Sequence, residues 1–167
     1  MWLIFTIEFQ FHINLAFLGI YPRTFSGLAG ILAAPLLHSD GLHLASNTLP
    51  FIVLGSALYI FYNRIASAVF IQCYFFPSIL VWIFGRSSFH IGASGLIYAL
   101  AFFLMAFGLF QKNFRSLLIS LIIIILYGGL FYGILPANPG LSWESHLMGA
   151  IVGVATASAY SRVKYSS

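Results

Sequence analysis

The sequence predicts an all-α fold, a polytopic membrane protein built as a bundle of six transmembrane helices. Three observations carry this. Hydrophobic residues make up 61% of the chain and charged residues only 6%. The mean hydropathy is +1.01, far outside the range of soluble domains. Apolar blocks of roughly 20 residues, the length that crosses a hydrocarbon core, follow one another along the chain. With 167 residues, there is room for about six such spans and for no separate soluble domain. Residues 1–167 therefore read as one membrane domain.

Taken in order, the first block, "MWLIFTIEFQFHINLAFLGI", is interrupted by Glu8, Gln10, His12 and Asn14. A charge deep in lipid is costly, so the block reads as either a sixth span or a truncated one. No basic segment precedes its apolar run, so no cleaved signal peptide is expected. The stretch "YPRTFSGLAGILAAPLLHSDG" has no span-length apolar run, and Pro22 and Pro35 break it. It reads as a loop at the membrane interface. Five apolar blocks follow at about 43–62, 66–84, 94–110, 116–135 and 146–161, each reading as a transmembrane helix. Asn63-Arg64, Gly85-Arg86, Lys112 to Arg115 and Pro136 to Glu144 separate them. Gly128 and Gly129 in the fifth span ease bending or serve close packing.

Six spans put both termini on one side, and the tail carries Arg162 and Lys164. The positive-inside rule makes that side the cytoplasm. Arg64, Lys112 and Arg115 also fall inside, against Arg23 and Arg86 outside, where Asp40 and Glu144 lie too. The net charge of +4 is thus read as setting orientation, and no nucleic-acid partner is expected. Cys73 is the one cysteine, which rules out an intramolecular disulfide and argues against a thiolate metal site. No internal repeat is visible, which disfavours a small transporter with a histidine proton relay.

The inner-edge charges serve as rulers. Ser94 precedes Lys112 by 18 residues, His146 precedes Arg162 by 16, and Asn47 precedes Arg64 by 17. At the helical rise these are about 27, 24 and 26 Å. Three polar residues from three helices thus share one height, recessed below the outer surface and open to water. A hydroxyl is a poor nucleophile until an imidazole removes its proton, so serine and histidine at one depth suggest nucleophilic catalysis. Gly92 and Gly95 permit a tight entry into the Ser94 helix, whose free N–H groups can stabilise an oxyanion. Tyr98 lies one turn on, on the same face, where its ring can pack against the imidazole. Gly149 and Gly153 after His146 form a GxxxG pair that allows close helix approach. His43 and Asn47 are four apart, share a face, and can direct two donors at one oxyanion. His38 lies nearer the interface and can orient this segment. No aspartate lies within the spans to complete a triad, so a Ser94–His146 dyad is the economical reading.

Each of these residues also has a structural reading. A lone GxSG serves helix contacts, Asn47 can be interhelical glue, and His12 and His90 read as loop or interface residues. His38, His43 and His146 lack the spacing of a helical zinc site, so no metal is expected.

The constellation resembles the rhomboid intramembrane serine proteases. The match consists of HxxxxHxxxN at His38, His43 and Asn47; GxSG with a tyrosine four residues on, at Gly92, Ser94, Gly95 and Tyr98; and HxxGxxxG at His146, Gly149 and Gly153. It covers about residues 19–161. The resemblance implies a six-helix rhomboid-like fold, Ser94 as nucleophile, and His146 as general base and then acid. It implies an oxyanion hole from His43, Asn47 and the Ser94 backbone N–H. Transmembrane protein substrates would be cleaved near their outer ends, within the lipid bilayer and without a cofactor, after entering beside the fifth span. The expected location is a bacterial plasma membrane, multi-pass, with a cytoplasmic C-terminus and the site open outward. Two departures stand out: the first span is short and polar, and the family's Trp-Arg pair appears here as "YPR". The alternative function is a catalytically inactive rhomboid-like protein that binds membrane clients.

Overall fold

The structure, a computed structural model, describes residues 1–136 and 142–162. Lys164 and the middle of the connection between the fifth and sixth blocks lie outside the described residues. Within them the chain forms eight α-helices and no strand, apart from one isolated bridge between Ile20 and His90. The helices are α1 (Trp2–Phe11), α2 (Gly30–Ala33), α3 (Gly41–Phe61), α4 (Asn63–Phe84), α5 (Ser94–Gln111), α6 (Phe114–Tyr127), α7 (Leu130–Gly133) and α8 (Trp143–Tyr160).

The six expected spans map onto α1, α3, α4, α5, α6 with α7, and α8. Of these, α3, α4 and α5 are both long and apolar enough to cross a membrane. The helix α8 reaches 18 residues but is less apolar, α6 stops at 14, and α1 has only 10. Polar residues explain the short first helix: Glu8 Oε1 accepts the Leu15 N–H at 2.8 Å and turns the chain, while His12 takes the left-handed conformation, φ 51°. The fifth block is broken at Gly128-Gly129, and a Cβ at Gly129 would meet nothing within 4 Å. Packing therefore does not require that glycine.

Helix α5 is the hub. Its spanning window is 78% buried, against 22% for α3 and 28% for α4. Helices α3, α4, α6 and α8 surround it, with α8 in the most extensive contact. The reason lies in the sequence of α8: Gly149 sits against Gly95, Tyr98 and Ala99, and Gly153 against Ala99, Phe102 and Phe103. Without a Cβ at either place, the two backbones nearly touch. On the opposite side, Ser120 of α6 donates its hydroxyl to the Met105 carbonyl. Tyr62, 1% exposed between α3 and α4, sets its ring edge-on to Phe107 at 4.9 Å. Large apolar side chains such as Leu49, Ile60, Ile71, Phe84, Ile125 and Leu126 face outward. In water such a surface would aggregate, whereas in lipid it is solvated.

The segment expected as an interfacial loop is more ordered than that. It forms α2 and two short 3₁₀ turns, Ser26–Leu28 and Ala34–Leu36, and α2 packs on α4; a further 3₁₀ turn, Ala16–Leu18, ends the first block just before it. Arg23 donates to the Gly85 carbonyl at 2.8 Å, and Trp82 donates to the Thr24 carbonyl at 2.9 Å. This segment also grips the loop before α5: Ile20 and His90 exchange backbone hydrogen bonds at 3.0 and 2.9 Å, and the Gly92 N–H donates to Ala34 at 2.9 Å. The start of α5 is thereby fixed from outside.

Candidate active site

Helices α3, α5 and α8 all begin at the same end of the bundle, and a cavity of about 500 Å³ opens there. Ser94, His146 and His43 line it together, with Ser39, Asp40, Arg86 and Ser142 at its rim. Ser94 is the first residue of α5 and is half-buried. Gly92, two residues earlier, has φ +110°, a conformation that side chains rarely adopt. A Cβ there would lie 2.8 Å from Nε2 and Cε1 of His43, so the glycine both turns the chain into α5 and lets the His43 ring approach the serine.

His146 is held in two directions. Tyr98 stacks on its ring face, with centroids 4.1 Å apart and planes within 3°. Its Nδ1 lies 2.9 Å from the Gly133 carbonyl oxygen at the end of α7. A carbonyl only accepts, so Nδ1 carries the proton, and in the neutral ring Nε2 keeps a lone pair free to act as base. Gly95, Gly149 and Gly153 supply the close α5–α8 contact that brings this ring to the height of Ser94.

The α3 residues separate. Asp40 caps the helix through Oδ1 to the His43 N–H at 2.8 Å, which holds its carboxyl below the usual carboxylate range. Its Oδ2 accepts the Ser39 hydroxyl at 2.7 Å, and the same Ser39 oxygen lies 3.2 Å from His43 Nδ1. Because the carboxylate only accepts, Ser39 donates to it and receives the Nδ1 proton of His43. Asn47 lies one turn deeper, 6% exposed, with Nδ2 donating to the His43 carbonyl at 2.8 Å. It is not part of the cavity wall. His38 is 5% exposed, with its ring beside the Leu36 backbone. Its ring meets His43 edge-on at 5.0 Å, and burial, with the neighbouring His43, pushes its pKa down to about 4. His12 is exposed on the loop after α1.

Two features escaped sequence reasoning. His90 does lie in a loop, but it is 1% exposed, with Nδ1 on the Ser142 hydroxyl, which in turn meets Ser145 at 2.7 Å. Arg86 pairs with Glu144 at 3.2 Å. Together they tie the loop leading to Ser94 to the start of the helix carrying His146. Spacing alone did not expose either link, because the partners are more than 50 residues apart in sequence. Among the described residues, no group of three or more His, Cys, Asp or Glu side chains is placed to hold a metal ion.

The Rhomboid domain profile matches residues 26–163. The chain belongs to the rhomboid family. The match spans most of the sequence and contains every site residue named above, and with the three spanning helices it marks an integral membrane protein. Uncharacterized proteins of Mycobacterium tuberculosis (strain H37Rv) and Mycobacterium bovis are each 37% identical over 156 residues, covering 83% of this rhomboid chain and 62% of theirs. An uncharacterized protein of Mycobacterium leprae is 37% identical over 147 residues, covering 78% of this chain and 55% of its own. The chain thus spans less than two thirds of the length of these relatives. No solved structure matches it.

Proposed function

We propose that this rhomboid protein is an intramembrane serine endopeptidase that hydrolyses transmembrane protein substrates near the outer membrane face. One observation carries the reading: a tyrosine-stacked histidine with its lone pair free shares one cavity of about 500 Å³ with a serine at a helix amino terminus. Ser94 Oγ attacks the scissile carbonyl carbon while its proton passes to His146 Nε2. The developing oxyanion is met by the Ser94 backbone N–H, unpaired at the start of α5. His43 adds a donor at Nε2 once its proton exchanges from Nδ1 to Nε2 through cavity water and Ser39 turns its hydroxyl from Asp40 to Nδ1, and Asn47 supports it from one turn below. The C–N bond then breaks, and His146 returns the proton to the leaving amine. Water attacks the resulting ester and gives its proton to His146, which restores Ser94 and releases the acid. None of these steps calls for a cofactor.

Lipid supplies no water, so a recessed cavity open to the outside is the physical requirement for this reaction. A substrate helix must also unwind to present its carbonyl, so helix-weakening residues near the scissile bond favour cleavage. We place the molecule in a bacterial plasma membrane, with residues 1–167 as one domain, the C-terminus in the cytoplasm, and substrate entering beside α6 and α7. The test is purified protein in detergent or liposomes with a generic transmembrane substrate. Cleavage by the wild type and none by Ser94→Ala supports the protease. No cleavage by well-folded wild type leaves the client-binding function in its place.

A further inference from the structure

We propose that the Gly133 backbone carbonyl is the third group of the catalytic relay, and that His146 is assembled as a base only while α7 is packed against α5 and α8. This rests on the reading of Ser94 and His146 as a dyad. Tyr98 fixes the plane of the His146 ring, but stacking leaves the ring free to turn within that plane and does not choose which nitrogen is protonated. The 2.9 Å contact from Nδ1 to the Gly133 oxygen does both. A carboxylate commonly holds this place beside a catalytic histidine. Here none is available: Glu8 lies on α1, Asp40 is engaged by Ser39 and the α3 amino terminus, and Glu144 pairs with Arg86. When Ser94 passes its proton to Nε2 the ring becomes an imidazolium, and its Nδ1–H becomes a stronger donor to the same carbonyl. The contact is then worth more in the transition state than in the ground state, which is the condition for catalysis.

The glycine lets α7 seat against the Tyr98 ring, and that seating brings its carbonyl beside His146. A Cβ at position 133 would collide with the Tyr98 hydroxyl, lie 3.0 Å from Tyr98 Cζ, and reach 3.4 Å from His146 Nδ1. Nothing else at the position asks for glycine, since its backbone is helical and alanine is the better helix former. Four residues earlier, a Cβ at Gly129 would meet only open space. The carrier of the carbonyl is weakly held: α7 has no buried residue, and its Tyr132 is 79% exposed. Its anchors are Phe131, edge-on to Phe102 at 4.9 Å, and Leu130 and Ile134 against the Tyr98–Phe102–Ala150 cluster. A displaced α7 therefore takes the acceptor away from His146 without touching either dyad residue.

The test combines turnover with ¹⁵N NMR of the histidine side chains, His146 being assigned by its loss in His146→Gln. In the wild type the neutral His146 ring should carry its proton on Nδ1. Gly129→Ala should keep both that signal and the turnover. Gly133→Ala should lower kcat about 100-fold, the scale expected for a 1 Å misplacement, with KM nearly unchanged and the Nδ1–H signal lost. Adding Tyr98→Phe, which removes the colliding hydroxyl, should restore part of the Nδ1–H signal. If Gly133→Ala does not fold, Phe131→Ala loosens the same segment and should shift the tautomer in the same direction. A wild-type proton on Nε2, or Gly133→Ala or Phe131→Ala with wild-type kcat and tautomer, overturns the proposal. Wild type and Ser94→Ala that are equally active would instead remove the dyad, while the NMR still reports the Gly133 contact on its own.

Discussion

Gly149→Ala tests whether the α5–α8 contact exists for chemistry or only for packing. The new Cβ would lie 2.9 Å from Tyr98 Cβ and 3.2 Å from the Ala99 nitrogen, and closer still to the Gly95 carbonyl. Two of these three are backbone atoms of a buried helix and cannot turn aside. The helices must therefore separate locally by about 1 Å, at the usual overpacking cost of roughly 1–3 kcal/mol. Alanine returns about 1 kcal/mol of helix propensity, so the net loss of stability should be about 0–2 kcal/mol. Turnover is affected differently. Position 149 lies one turn below His146 and against Gly95 and Tyr98, so the separation falls between the proposed base and the proposed nucleophile, and a 1 Å misplacement costs roughly 100-fold in rate. Gly55→Ala on α3, where a Cβ meets nothing within 4 Å, is the control and should leave the rate unchanged. The assay is single-turnover cleavage and melting temperature on the same preparations. A folded Gly149→Ala protein with wild-type turnover would refute the link between this contact and the dyad.

Three further outcomes are expected. Arg86→Ala should lower the melting temperature more than Glu144→Gln, because it strands a carboxylate that is 4% exposed, whereas the glutamine variant removes that charge. His38 titrates near 4 when folded and at its ordinary 6.5 when unfolded. Between those values the unfolded chain binds more protons, so stability should rise with pH from about 4 to 6.5 and flatten above; His38→Gln should show a shallower rise in melting temperature over the same window. Asn47→Ala, which removes the amide donated to the His43 carbonyl, should lower kcat by about tenfold with little change in KM or melting temperature if that bond steadies His43 at the oxyanion. A destabilised but fully active Asn47→Ala protein would make it a structural residue instead.

How much of this was legible in the sequence depended on how far apart the partners are. The spans α3, α4 and α5 were readable because apolarity accumulates over about 20 neighbouring residues, and so was the GxxxG pair, whose effect is local to one helix face. The first block reads as either a full or a truncated span, and α1 is the truncated one, turned by the Glu8 side chain; the fifth block reads as one helix and is broken at Gly128-Gly129, through backbone geometry that composition only hints at. Equal counts from the inner edge placed Ser94, His146 and Asn47 at one height, and the cavity gathers the first two with His43 but not Asn47, whose side chain turns back to its own helix. A count gives depth along a helix and not the direction in which a side chain leaves it. The Gly133 carbonyl was out of reach for a stronger reason. Every residue has a carbonyl, so its role leaves no mark in the sequence except the glycine that lets it come close.

The remaining question is why these polar groups collect at one end of an oily bundle. A buried donor or acceptor in lipid must find a partner or destabilise the fold. The amino termini of α3, α5 and α8 offer unpaired N–H groups at that end, and no other part of a helix does so. Asp40 satisfies those of α3, and Ser142, Ser145 and His90 form a hydrogen-bonded chain beside those of α8. At α5, by contrast, the capping position is Ala93, and no side chain accepts from the first turn. The start of the helix that carries Ser94 is thus left without a side-chain cap and faces the cavity. The positive end of the α5 dipole is then unscreened where an oxyanion would form. Ala93 is 1% exposed in the apolar core and helical at φ −78°, ψ −1°, so a serine or aspartate there would be buried among apolar side chains at a cost to stability. An oxygen that did reach the first turn would occupy the donors that a transition state needs. Ala93→Asp is therefore expected to lower the melting temperature and to suppress cleavage by the protein that stays folded, and a folded variant with wild-type turnover would show that the uncapped turn has no part in the reaction.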